Sequence, residues 1–252
     1  MCSVLGVFAH PDDESLLAGG VLAQHAAARA RTAVVTMTWA SDSARAAELA
    51  DALVALGAGP PRMLGYGDAR NPHAAPGRSR LVDAPLDEVI GALVHQIRSF
   101  RPDIVVTHDA LGQLTGHPDH RRTHQATLHA VQDAGLAHLH PEAGQPWQPR
   151  AVYCATHPES GVGELGPLLE AVGKTVLAVP DAYATTTVDV TPWLKQKWTA
   201  ILAHRGEVAG ERPLPGILAR LPEETRRDII ATEYFTRLAA GPVRGGPHRL
   251  TA

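Results

Sequence analysis

Two short stretches hold side chains of the types that do metal and acid–base chemistry. The first is Ala9-His10-Pro11-Asp12-Asp13-Glu14, where one imidazole and three carboxylates follow the apolar run Val4-Leu5-Gly6-Val7-Phe8. The second is Gly116-His117-Pro118-Asp119-His120-Arg121-Arg122-Thr123-His124. Neutral imidazole and carboxylate are zinc ligands, and a catalytic zinc needs only three protein ligands because one position stays open. His10 and Asp13, three apart across a turn, can point at one ion. Asp12 lies between them and cannot easily share that direction, which frees it to act as a base on the attacking water. Pro118 suits a first helical turn, so His120 falls early in a helix and His117 just before it. One of these histidines can close the metal site. The other can stay metal-free and hydrogen-bond to a developing oxyanion, with Asp119 orienting its ring. His120 and His124, four apart on a helix, form an alternative two-histidine pair. A ligand set of this kind accepts Fe2+ or Co2+ as well as Zn2+.

The elements that must carry these stretches alternate between strand and helix patterns, which predicts a parallel sheet covered by helices. Strands are expected at 3–8, 32–38, 63–65, 103–107, 151–155 and 185–190. Helices are expected at 15–29, 43–56, 85–100, 118–133 and 163–172. A further helix opens at Thr191-Pro192, with threonine as its N-cap, and runs to about His204. A last one runs from Leu221 to Leu238. Gly19-Gly20 inside the first helix implies close packing against a neighbour. Residues 66–84 and 205–219 are Gly/Pro-rich loops expected to flank the site. The fold class that follows is α/β: a Rossmann-like, doubly wound, mostly parallel sheet with helices on both faces. In such sheets ligands bind outside the carboxyl ends of the strands. Both chemical stretches follow predicted strands, so they share that edge.

Composition narrows the function further. A chain of 252 residues fits one α/β domain, here 1–252 with a flexible tail at 240–252. Cys2 and Cys154 are far apart and form neither a disulfide framework nor a CxxC site, which fits a reducing compartment. A net charge of −3 without a basic block argues against nucleic acid as a partner. Met1 leads directly into the first strand with no basic region before it, and no apolar run is long enough for a membrane span. A cytoplasmic protein acting on a small molecule is expected, with homo-oligomerisation left open.

With both stretches in view, the chain resembles the LmbE/PIG-L-type family of zinc-dependent N-deacetylases. Members remove the acetyl group from N-acetylglucosaminyl compounds, including thiol-cofactor precursors and natural-product sugars, and some cleave related amides. The resemblance extends to Arg45-xx-Glu48, to Leu64-Gly65-Tyr66-Gly67-Asp68, and to Val188-Asp189-Val190-Thr191 with Lys197 and His204. It implies zinc on His10, Asp13 and His120, with Asp12 as general base. It makes His117 the oxyanion stabiliser, in protonated form if its pKa allows, with Asp119 behind it. Arg45, Asp68 and His204 become candidate substrate-binding residues. Thr115 stands where the sugar-thiol deacetylases carry a tyrosine, and Ser41-Asp42-Ser43 lacks their Gly-Glu. The expected activity is removal of an acetyl or acyl group from the amide nitrogen of an amino-sugar conjugate, in thiol-cofactor or natural-product biosynthesis. The alternatives are an amidase on a thiol or sugar conjugate and a non-catalytic sugar-binding relative. Glu14, His108 and His124 have no settled role at this level.

Overall fold

A computed structural model describes residues 2–240. In chain order the elements are β1 (Val4–Phe8), α1 (Asp13–Ala27), β2 (Thr32–Thr38), α2 (Ala44–Leu56), β3 (Arg62–Tyr66), α3 (Leu86–Phe100), β4 (Ile104–His108) and α4 (Pro118–Ala134). They continue with β5 (Ala151–Thr156), α5 (Glu159–Val162), α6 (Leu165–Ala171), β6 (Thr186–Asp189), α7 (Leu194–Ala203), α8 (Arg205–Ala209), α9 (Leu214–Ala219), α10 (Glu223–Ile230) and β7 (Thr232–Ala239). The seven strands form one sheet in the order β3-β2-β1-β4-β5-β7-β6. The pairs among β1 to β5 are parallel, and β7 runs antiparallel to both its neighbours.

Side-chain alternation divides the core between the two faces. Leu5 and Val7 of β1, Val35 and Met37 of β2 and Val105 of β4 pack with Val89, Leu93 and Ile97 of α3 and Ala126 and Ala130 of α4. Val4, Phe8, Val34 and Val106 point the other way, toward Leu22 of α1, Leu49 and Leu53 of α2 and Ala200 of α7. Continuous apolar strands are therefore buried on both faces, as a parallel sheet requires. The chain reverses its winding between β1 and β4. Their carboxyl ends lead into the His10 and His108 loops and create the crevice where such folds bind ligands.

Three expectations need correction. The expected helix over 221–238 ends at Ile230, and Thr232–Ala239 is a strand inserted between β5 and β6. Its inward residues are Glu233 and Phe235, so a charged side chain interrupts the apolar alternation that marks a strand. Glu233 is buried because Gly20 N and Val21 N of α1 donate to it at 2.7 and 3.0 Å and Lys197 Nζ at 2.7 Å. Residues 205–219 are not a loop but α8 and α9. Thr191 begins a 3-10 turn over Thr191–Trp193, and α7 starts only at Leu194, so Thr191 does not cap it. Gly20 meets its expectation of close packing: a Cβ there would lie 2.3 Å from Val190 Cβ. The expected tail lies outside the described residues apart from Ala240, which packs on the core. Among the described residues no helix is long and apolar enough to cross a membrane.

Candidate active site

The turn after β1 brings Asp12 and Asp13 into the crevice by way of an unusual backbone. Asp12 has φ 132°, a conformation L-residues seldom adopt. Glu14 holds it there: Asp12 N donates to Glu14 Oε2 at 3.0 Å. Glu14 is itself fully buried, with Ser15 Oγ donating to Oε1 at 2.5 Å and His204 Nε2 at 2.8 Å from Oε1. The sequence left Glu14 without a role, and here it fixes the turn. His204 has no exposed surface and does not line the cleft. It is therefore not a substrate-binding residue as the sequence suggested: after Ala203 ends α7, its ring turns inward to pair with Glu14.

Three side chains gather here. His10 Nδ1 and His120 Nε2 are 3.1 Å apart, and the Asp13 carboxylate flanks the pair with Oδ1 3.3 Å from His120 Nε2 and Oδ2 3.4 Å from His10 Nδ1. Donors placed about 2.1 Å from a tetrahedral zinc stand about 3.4 Å from one another. The donor set and its spacing therefore fit a divalent metal. His10, His117 and His120 also approach closely enough to share an ion, as do Asp13, His108 and His120. His108 is otherwise engaged. Its Nε2 accepts from Ala9 N at 3.0 Å, and its ring stacks on His120 with centroids 4.0 Å apart. His124 is turned away from the cluster toward the His108 carbonyl, 2.8 Å from Nδ1, which disposes of the His120–His124 pair.

The rear of His10 is supported by carboxylates, with Nε2 3.1 Å from Asp68 Oδ2 and 3.2 Å from Asp119 Oδ2. Such contacts orient a ligating imidazole and raise its basicity. They also correct two expectations. Asp119 sits behind His10, not His117, whose Nδ1 is 3.9 Å from the Asp119 carboxylate. That Nδ1 instead accepts the backbone N–H of Asp119 at 3.3 Å, because His117 is the N-cap of α4. Asp68 was expected to bind substrate, but one of its oxygens holds His10. The other accepts Arg70 N and Asn71 N at 2.6 and 2.9 Å.

The electrostatics divide the two remaining groups. Burial, with Asp13 adding to it against the pull of Arg45, pushes the Asp12 carboxyl up to about 7. Burial, with His10 and Arg70 nearby, lowers His117 to about 4, which favours the neutral imidazole. With Nδ1 accepting at the cap, the ring proton belongs on Nε2. Arg45 lines the cleft, but its guanidinium is held by the protein. It contacts Asp12 Oδ2 at 3.3 Å, Glu207 Oε1 at 2.7 Å and the Pro11 carbonyl, and lies over Trp39 at 4.8 Å. Glu48 completes the support by accepting Gly206 N of α8 at 3.0 Å.

The cleft holds about 240 Å³, and His10, Asp12, Asp13, Asp68, His117 and His120 are among its lining residues. The two loops expected to flank it do so, through Asp68 and Arg70 on one side and Glu207 and Leu214 on the other. Sequence reasoning missed Gln113, His157, Leu169 and Lys174, which complete the wall. Only Gly173, a helix terminator that turns the next residue back, hinted at Lys174.

Comparison with known proteins agrees with this arrangement. A family model described as PIG-L, GlcNAc-PI de-N-acetylase, matches residues 5–131. The 1D-myo-inositol 2-acetamido-2-deoxy-alpha-D-glucopyranoside deacetylase of Rhodococcus jostii is 37% identical, over 94% of this chain and 92% of its own. The conserved protein TT1542 of Thermus thermophilus is 25% identical, with TM-score 0.66 over 98% of this chain and all of its own. The N,N'-diacetylchitobiose deacetylase of Pyrococcus horikoshii shares the fold at 20% identity, with TM-score 0.65 over 94% of this chain and 84% of its own. A match across half the chain, with relatives aligned along nearly all of it, makes this protein a member of the PIG-L family.

Proposed function

We propose that the protein is a divalent-metal-dependent N-deacetylase acting on the acetamido group of an amino-sugar conjugate. The observation that carries the reading is the convergence of His10 Nδ1, Asp13 and His120 Nε2 in a cleft that also holds Asp12 and the free face of His117. The names of the relatives support the acetamido sugar as substrate class.

His10, Asp13 and His120 would hold the metal, with zinc the first choice for two imidazoles and a carboxylate. When bound, it supplies Lewis acidity to the amide carbonyl and to the attacking water. Asp12 takes a proton from that water as its oxygen attacks the carbonyl carbon. An acidity near neutrality lets the same carboxyl both accept and return a proton. His117 Nε2–H donates to the oxyanion of the tetrahedral intermediate, a contact worth about 3 kcal/mol in comparable sites. As the carbon–nitrogen bond breaks, Asp12 delivers its proton to the leaving amine, giving acetate and a free amino sugar. Arg45 acts through Asp12, holding its carboxylate at 3.3 Å. Asp68 and Asp119 keep His10 aimed at the metal.

The test is metal analysis of the purified protein combined with acetate release from a panel of N-acetyl sugars and their conjugates. Asp12→Asn is expected to retain metal and lose about 10²–10⁴ in turnover. Undiminished turnover in that variant overturns the assignment of the base. Release of a larger acid in place of acetate overturns deacetylation in favour of a broader amidase.

A further inference from the structure

The residues expected to hold the sugar are engaged by the protein itself. Arg45 contacts Asp12, Glu207 and the Pro11 carbonyl, Asp68 holds His10 and two backbone N–H groups, and His204 pairs with Glu14. Two other residues of the cleft lining keep polar atoms with nothing to bond. Gln113 is only 4% exposed, and its Oε1 is buried without a partner among the described residues. His157 Nδ1 is in the same condition.

Both groups are built into place at the carboxyl ends of the paired strands β4 and β5. The Gln113 amide has one orientation. Its Nε2 donates to the Ala155 carbonyl, which can only accept, so Oε1 faces the other way. The backbone of Gln113 stands at φ 63°, a strained value for a residue with a Cβ. Asp109 holds that strain, its Oδ1 accepting Gln113 N at 2.9 Å. Asp109 Oδ2 accepts Thr156 Oγ1 at 2.8 Å, so one buried carboxylate ties the Gln113 turn to the residue before His157. Segment 177–179 fastens the same two places from outside: Leu177 N donates to Leu114 O at 2.7 Å and Val179 N to His157 O at 2.9 Å.

A buried polar atom left unpaired weakens a fold, and a ligand that completes it recovers the loss. Gln113 Oε1 requires a donor. Burial holds the His157 ring neutral, so it can donate from one nitrogen and accept at the other. A neutral acceptor together with a neutral imidazole suits an uncharged group that both donates and accepts, which is a hydroxyl. We propose that Gln113 Oε1 and His157 Nδ1 read ring hydroxyls of the sugar whose acetamido group is cleaved, which makes both residues determinants of specificity. The assignment rests on the deacetylase reading above and deepens it.

The experiment compares kcat/KM for acetate release from methyl N-acetylglucosaminide and its 3-, 4- and 6-deoxy analogues. In the wild type at least one deoxy analogue should lose about tenfold or more, because a site built to bond a hydroxyl rejects the analogue that leaves its buried atoms unpaired. In Gln113→Met and His157→Phe the parent sugar should lose a similar factor, while the penalty for the analogue that each residue reads should shrink to within about threefold. A purely structural role lowers all four substrates alike. A variant that does so removes its residue from the assignment, and both doing so overturns it, as does a wild type that processes all four sugars equally. If no acetate appears from any substrate, the deacetylase reading fails on its own. Calorimetric titration with glucosamine and its three deoxy analogues then still reads the hydroxyl contacts: equal affinities, or no binding by any of the four, overturn them.

Discussion

The floor and the mouth of the cleft are built on opposite principles. On the floor, His10, Asp13, Asp119 and His120 come from strand ends and a helix start, are buried, and are held by neighbouring groups. Even the strained turn at Asp12 is fastened, by Glu14 and behind it His204. At the mouth, the loop-borne part of the lining, Arg70 sits exposed on a turn and Lys174 half-buried past a helix end, and neither forms an ion pair among the described residues. The difference teaches where each kind of function resides. Geometry that must not vary is anchored in the sheet, and recognition that can vary is hung on its loops.

That contrast can be broken by mutation, and the largest effect is expected on the floor. His120→Ala removes one of three converging donors, so bound metal should fall to a trace and acetate release to background, measured by elemental analysis and turnover. Retention of metal at wild-type level would show that His117 or His108 closes the site instead. Next comes His204→Ala, which leaves the buried Glu14 carboxylate without its partner. Removing one member of a buried pair costs about 3 kcal/mol of stability. Denaturant unfolding should register that loss while metal content holds, and kcat should fall with KM little changed because only the Asp12 turn is loosened.

A smaller effect belongs to His157, in the wall of the cleft. Burial lowers its pKa to about 4, from an ordinary value of 6.5. The folded protein therefore holds this ring neutral at pH values where the unfolded chain protonates it. Its contribution to stability is complete above about 6.5, declines as pH falls, and is gone below about 4. A His157→Gln variant should show a shallower loss of stability across that window; an identical slope would mean the ring is not shielded. The smallest effect is expected at the mouth. Arg70→Gln should change unfolding free energy by less than about 0.5 kcal/mol, because Arg70 is exposed and forms no ion pair among the described residues. A substantially larger loss would place Arg70 with the floor.

The same contrast governs what the sequence could reveal. The floor was legible because its chemistry is local: His10 and Asp13 lie three apart directly after an apolar strand, and His117 and His120 lie three apart at the helix start that follows another. The supports were only half legible. Asp119 sits one residue from both His117 and His120 yet serves His10, because the helix cap gives His117 a backbone N–H in place of a carboxylate. No spacing connects His204 to Glu14, and only tertiary structure brings them to 2.8 Å. Lys174 was barely legible: Gly173 marks a helix end, but a lone cation after it has no pattern until the cleft surrounds it. Strand β7 was lost for a related reason. Glu233 occupies a core-facing position, and its partners Gly20, Val21 and Lys197 are all remote in sequence.

The place of β7 bears on how the protein comes off the ribosome. Among the described residues it is the last strand in sequence, yet it lies inside the sheet, pairing with β5 on one side and β6 on the other. Until it has been translated and has left the exit tunnel, β5 presents an unpaired edge and β6 has no neighbour at all. The catalytic floor, made of β1, β4 and their loops, can thus assemble during synthesis, while the sheet stays open to mispairing with other nascent chains. A chaperone that shields the β5 edge until β7 arrives would then raise the yield of active protein.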